Sequence, residues 1–149
     1  MALDRSRAGL TVLRVSLGIF FLFEGISKIR WFGNSALLAS QLRGWAQTMP
    51  PDSLSARYLA RIALPWVGYF ARLVPLGELT SGLALITGFR TRLFAFIAFF
   101  MALNFQFASN VLVKYAFLTS GYGLPVLGGT LALVLAGSSR GKHRPIANS

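Results

Sequence analysis

Four apolar runs constrain this chain more than any other feature of its sequence. They cover residues 10–29, 66–89, 93–113 and 116–137. Each of the first three reaches the ~20 residues that an α-helix needs to cross a bilayer. In lipid every backbone amide needs a partner within the chain, so these runs are predicted to be helices. The predicted fold class is therefore all-α: an integral membrane four-helix bundle that forms a single domain over residues 1–149.

Composition excludes most other classes. Hydrophobic residues make up 54% and charged residues 13% of the chain, whereas a soluble domain carries roughly 25% charged residues. The chain has no cysteine and one histidine, His143. Thiol chemistry, iron–sulfur ligation and a haem held between two histidines of one copy are therefore excluded. We predict no metal site and no intrinsic redox centre.

The charge distribution is typical of a membrane protein. There are 15 Lys and Arg residues against 4 Asp and Glu residues, a net charge of +11. They are spread between the apolar runs instead of forming one block, so we expect the lipid bilayer and not nucleic acid as a partner. The turn at 90–92 and both tails are basic, which predicts that both termini lie in the cytoplasm. The basic residues on that side are Arg5, Arg7, Arg90, Arg92, Arg140, Lys142 and Arg144.

The fourth run is interrupted by Gly121, Gly123 and Pro125. The stretch from Pro125 to Ala136 would be only about 18 Å long as a helix, too short to span a bilayer. Either a helix that begins near Ala116 is kinked at Pro125, or a polar turn enters the membrane edge. We favour the kinked helix.

The insert at residues 30–65 is predicted to form two short amphipathic helices on the membrane surface. Asn34 or Ser35 caps the first helix, and Asp52 or Ser53 caps the second. The expected apolar faces hold Leu38, Leu42 and Trp45 in the first helix and Leu54, Tyr58 and Ile62 in the second. The interfacial anchors expected here are Trp31, Trp45 and Trp66.

Ionisable residues inside the runs are expected to pair, because they are costly in lipid. Glu24 lies about 8 Å and Arg72 about 9 Å below the outer surface if both helices end at that surface. We therefore predict a structural Glu24–Arg72 ion pair. Lys28, one turn beyond Glu24, is placed to share its carboxylate.

Glu78 is the strongest candidate for function, because the same counting places it about 18 Å below the outer surface, near the midplane. Arg14 and Asn104 are predicted to join it in an inner polar cluster, and Asn110 to join the outer pair. Glu78 with Arg14 is a candidate proton or quinone site. The alternative is that these polar groups have a purely structural role and hold the helices together.

Two segments of the chain resemble DoxX-type membrane proteins. Residues 13–28, LRVSLGIFFLFEGISK, resemble the family's opening helix, and residues 75–92, PLGELTSGLALITGFRTR, resemble its second helix and the Gly-x-x-Thr-Arg turn that follows. Residues 131–141 resemble its closing helix and tail. The positions that match the family's pattern are Arg14, Gly18, Gly25, Lys28, Glu78, Gly82, Gly88 and Arg92.

This resemblance implies a four-helix bundle in the cytoplasmic membrane of a prokaryote. Members of the family include membrane subunits of thiosulfate:quinone oxidoreductase. The expected function is a membrane subunit of a redox-linked, quinone-associated electron-transfer system, with quinone or lipid as ligand and other membrane subunits as partners. One alternative is a non-catalytic accessory subunit of a larger respiratory or photosynthetic complex, and another is a small transporter that uses the intramembrane charges.

Overall fold

The computed structural model describes residues 2–112 and 114–137, with side chains from residue 5 onward. This part of the chain is all-helical, with seven α-helices and no strand, which confirms the all-α part of the predicted fold class. The predictions for His143 and for Arg140, Lys142 and Arg144 in the basic tail lie outside the described residues. The α-helices are α1 Ala2–Ser27, α2 Ala36–Thr48, α3 Leu54–Tyr58, α4 Val67–Thr87, α5 Thr91–Ala108, α6 Tyr115–Thr119 and α7 Leu124–Ala136.

Two of the described helices are long and apolar enough to cross a membrane, Arg5–Ser27 within α1 and Thr91–Ala108. Helix α7 is apolar but has 13 residues, about 20 Å of helix. In the fold, α1 packs on α4 and α7, and α5 packs on the same two helices. The four helices therefore close a ring around a shared hydrophobic core.

The α1–α4 crossing depends on two glycines that allow the backbones to approach. A Cβ atom on Gly82 would lie 2.6 Å from the amide nitrogen of Leu22, and one on Gly18 would lie 2.9 Å from the carbonyl oxygen of Gly82. Small residues at such crossings are a common way to pack helices in membranes. This contact fixes the antiparallel register of α1 on α4.

That register places the end of α1 against the middle of α4. A Cβ atom on Gly25 would lie 2.9 Å from the amide nitrogen of Leu79, and α1 ends two residues later at Ser27. Residues 67–77 of α4 therefore extend beyond α1 by about 16 Å. The insert packs around this extension.

Where the insert meets α4 and α5, a hydrophobic core forms that is separate from the core between the bundle helices. Its buried residues are Trp31, Leu38, Leu42, Met49, Leu59, Ala63, Ala71 and Ala108. The insert is thus built onto the end of the bundle, with the apolar face of α2 covered by protein. The predicted caps are confirmed for Asn34, whose Oδ1 accepts from the Ala36 amide at 3.1 Å, and for Ser53, whose Oγ accepts from the Ala56 amide at 3.1 Å.

The predicted apolar face of the second short helix is wrong for two of its three residues, since only Tyr58 packs against the core among them. Leu54 and Ile62 are exposed, whereas Ser55, Leu59 and Ala63 are buried. The reason is that Ser55 approaches the end of α5 closely, where its Oγ donates to the carbonyl oxygen of Phe107 at 2.7 Å. The Phe107 carbonyl also accepts from the Asn110 amide at 3.0 Å, so Ser55 adds a second bond to a carbonyl at the end of α5.

The tryptophans also depart from the prediction that all three anchor the chain at the membrane interface. Trp31 is 8% exposed and belongs to the core of the insert, and the Trp45 ring packs edge-on against Phe105 at 5.0 Å. Trp66, at 56%, is the exposed member of the three.

The fourth run is not a single kinked helix. Helix α6 ends at Thr119, a turn follows, and α7 begins at Leu124 with Pro125 in its first turn. Proline fits the first turn because the amide that it lacks has no helical partner there. The polar turn, which was the less favoured alternative, is therefore what the chain forms.

Candidate functional site

A buried lysine lies at the centre of the most polar cluster in the described structure. Lys28 is 7% exposed and follows the last residue of α1. Its Nζ donates to both carboxylate oxygens of Glu78, at 2.8 and 3.0 Å, and to Oε2 of Glu24 at 2.6 Å. The chain has four acidic residues, so half of them converge on one ammonium. Formally this cluster carries one more negative than positive charge.

Two aromatic rings complete the surroundings of Lys28. Its Nζ lies 6.0 Å from the centre of the Trp31 ring and 5.5 Å from that of Phe105. Both distances suit a cation–π interaction. The 3₁₀ turn Ile29–Phe32 brings Trp31 back over Lys28, and the spacing of four residues places Glu24 one turn below it. Local geometry on α1 therefore assembles most of the cluster, and α4 adds Glu78.

The cluster opens into a cleft of about 670 Å³. The cleft is enclosed by α1, α2, α5, α6 and the start of α7 and has a mixed aromatic and polar lining. Gln106, 8% exposed, is fixed at its wall by a hydrogen bond from Nε2 to the carbonyl oxygen of Tyr122 at 2.9 Å. Other lining residues include Phe20, Phe21, Ser27, Gln41, Ala102, Ser109, Ala116 and Tyr122.

A second, apolar groove of about 370 Å³ runs between α4 and α5. Glu78, Met101 and Phe105 line both the groove and the cleft. Glu78 therefore lies at the boundary between a polar cavity and an apolar one. The groove's apolar lining comes from Phe70, Leu73, Val74, Phe96, Ile97 and Phe100.

The predicted Glu24–Arg72 ion pair is wrong. Glu24 pairs with Lys28, as the shared-carboxylate prediction required, while Arg72 is exposed and donates to the carbonyl oxygen of Gly68 at 2.8 Å. The depth counting assumed that both helices end at one plane. In fact Arg72 lies in the part of α4 that extends beyond α1, six residues or about 9 Å above Glu78.

The predicted grouping of Arg14 with Glu78 is also wrong. The Arg14 guanidinium lies against Gly88, at the carboxyl end of α4, ten residues beyond Glu78. A cation there is favoured by the negative end of the helix dipole. Gly88 has a φ of +78°, and a Cβ atom on it would collide with the guanidinium. Arg14 therefore has a structural position, remote from the cleft.

The two asparagines of the predicted clusters are separated. Asn104 lines the apolar groove together with Glu78, and Asn110 lies in the turn after α5 with a φ of +56°. Sequence reasoning missed the contact of Lys28 with Glu78. Lys28 and Glu78 both match the family's pattern, and that shared signal was the available clue to their pairing.

The described part of the chain is an all-helical bundle with two helices long and apolar enough to cross a membrane, which fits the class of helical membrane proteins. The sequence model of the DoxX family matches residues 9–110. That is more than half of the chain, so the chain belongs to the DoxX family, and the predicted resemblance is confirmed. The matched region runs from α1 to the end of α5 and contains Glu24, Lys28 and Glu78. Comparisons with curated proteins and with solved structures gave no match.

Proposed function

We propose that this chain is a membrane subunit of a redox-linked electron-transfer system and that its cleft receives the head group of a quinone. The observation that carries the proposal is the buried Lys28 cluster at the junction of the cleft and the apolar groove. A cavity of about 670 Å³ is in the range of small-molecule sites, which combine an apolar lining with a few placed polar groups.

Each part of the site suits one part of such a substrate. The rings of Trp31 and Phe105 offer flat apolar surfaces to a ring. The carboxylates of Glu24 and Glu78 are groups that can exchange protons. Lys28 holds both carboxylates in position, and the groove between α4 and α5 suits an isoprenoid chain. The chain has no cysteine, and we propose that a partner subunit carries the electron-transferring group.

The membrane arrangement is part of the same proposal. In it α1, α4, α5 and the α6–α7 segment cross the cytoplasmic membrane, and both termini face the cytoplasm. The extension of α4 and the insert at residues 30–65 then cover the outer end of the bundle. This places the mouth of the cleft beside the outer membrane surface.

Blocking the cleft should abolish quinone binding. Ala116 is exposed and lines the cleft, whereas Leu118, on the same short helix, is exposed and does not line it. We expect Ala116→Trp to weaken binding of a short-chain ubiquinone or menaquinone analogue at least about tenfold by loss of space, and Leu118→Trp to leave it unchanged. Equilibrium dialysis of the protein in detergent micelles measures both. Equal binding by the two variants would move the site elsewhere.

Neutralising Glu78 should distinguish a role in proton exchange from a role in holding the subunits together. Glu78→Gln keeps the shape of the side chain and removes its proton exchange, so we expect quinone-linked turnover in native membranes to fall about 100-fold or more. Size-exclusion chromatography of gentle detergent extracts checks that the chain stays associated with its proposed partner subunits. Normal turnover with the Gln variant would refute the proposal. Loss of the complex itself would favour the accessory-subunit alternative.

A further inference from the structure

The one charged donor that lines the cleft among the described residues, the Lys28 ammonium, is already committed to the protein. The three protons of Lys28 Nζ face the carboxylates of Glu24 and Glu78. Ser27 Oγ donates to the Glu24 carbonyl at 2.7 Å, and Gln106 Nε2 donates to the Tyr122 carbonyl at 2.9 Å. Other lining side chains carry donors that bond to no acceptor among the described residues: Trp31, Gln41, Ser120 and Tyr122.

Two side-chain oxygens in the same region, on Glu24 and Gln106, accept no hydrogen bond among the described residues. Lys28 occupies Oε2 of Glu24, and among the described residues Oε1 accepts no hydrogen bond. The Glu24 side chain is 28% exposed and lines the cleft. Gln106 is 8% exposed; its side-chain oxygen accepts no hydrogen bond among the described residues, and its nitrogen keeps one N–H besides the one donated to Tyr122. The inner wall of the cleft therefore presents acceptors, one of them a carboxylate.

We propose that the cleft selects the reduced, hydroxyl-bearing form of its substrate, a quinol, and that Glu24 is the specificity-determining residue. This inference rests on the proposed function. A quinone offers only carbonyl acceptors, and none of them can donate a hydrogen bond to the open oxygen of the Glu24 carboxylate. A quinol offers two hydroxyl donors, and a hydrogen bond to a carboxylate is among the stronger kinds in proteins. The excess negative charge around Lys28 acts in the same direction.

The test compares the two redox forms of one short-chain compound. A water-soluble quinone is titrated into the full chain in detergent, and its quinol is titrated anaerobically under the same conditions. We expect the wild-type protein to bind the quinol about tenfold more tightly, the effect of one charge-assisted hydrogen bond. Glu24→Gln replaces the acceptor with an amide that can donate to a carbonyl, so it should remove or invert this preference.

The matched control is Asp52→Asn, which makes the same chemical change on an exposed acid that does not line the cleft. It should keep the tenfold preference. Glu24→Asp provides a second variant, because it keeps the charge but withdraws the oxygen by one methylene, and it should reduce the preference several-fold. If wild type binds both forms equally, this inference fails while the proposed function stands. If neither form binds, both fail.

Discussion

Replacing Lys28 with methionine is expected to lower the free energy of unfolding by about 3–5 kcal/mol. Methionine fills nearly the same volume, so packing against Trp31 and Phe105 is kept. The carboxylates of Glu24 and Glu78 lose the ammonium that both contact. Removing one partner of a buried ion pair leaves an uncompensated charge, which is the costly case. Unfolding in mild detergent, followed by circular dichroism, measures the change.

Arg72→Met is the matched control, because it removes an exposed basic side chain whose hydrogen bond, among the described residues, goes to a carbonyl oxygen of its own helix. Its effect should stay within about 0.5 kcal/mol. Adding Glu78→Gln to Lys28→Met should recover part of the loss, since one of the two unpaired carboxylates is then gone. Equal stability of the Lys28 and Arg72 variants would show that the cluster is not a buried ion pair.

Local signals in the sequence were reliable. The first three hydrophobic runs identified α1, α4 and α5, and short polar side chains identified the starts of the insert helices at Asn34 and Ser53. The spacing of four residues predicted the contact of Glu24 with Lys28. Each of these features depends on residues within one helical turn, so no knowledge of the tertiary fold was needed.

The position of one helix along another could not be read in the same way. Counting residues from a shared surface assumed that α1 and α4 end level with each other. The glycine contacts instead fix a register in which Ser27 meets the middle of α4. That displacement moves Arg72 beyond α1 and brings Glu78 level with Lys28. The ionisable residues were therefore identified, but their pairing was assigned to the wrong partners.

Which surface covers the apolar faces of the insert also depended on tertiary contacts. An amphipathic pattern shows that a helix has a face to bury, but it does not show whether lipid or protein covers that face. Here the extension of α4 beyond α1 provides a protein surface, and Leu38 and Leu42 pack into the core formed there. The same packing buries Trp31 above Lys28 and so helps to form the cleft.

Replacing Gly82 with alanine should destabilise the bundle more than any other conservative change at the α1–α4 crossing. The three nearest atoms to the added Cβ all belong to the backbone, of Leu22 and Gly18, at 2.6–2.9 Å. A backbone cannot rotate away as a side chain can, so the two helices must separate. We expect a loss of about 1–3 kcal/mol, the usual range for overpacking, despite the better helix propensity of alanine.

Gly128→Ala is the control for this change, because Gly128 also lies inside a helix and a Cβ atom on it meets nothing within 4 Å. It should be neutral or stabilise the protein by up to about 1 kcal/mol. The Gly82 variant carries a further consequence that the control lacks. Separating α1 from α4 moves Lys28 away from Glu78, so the variant should also bind quinol more weakly. Lost stability with unchanged binding would show that the cleft does not depend on the register set by Gly82.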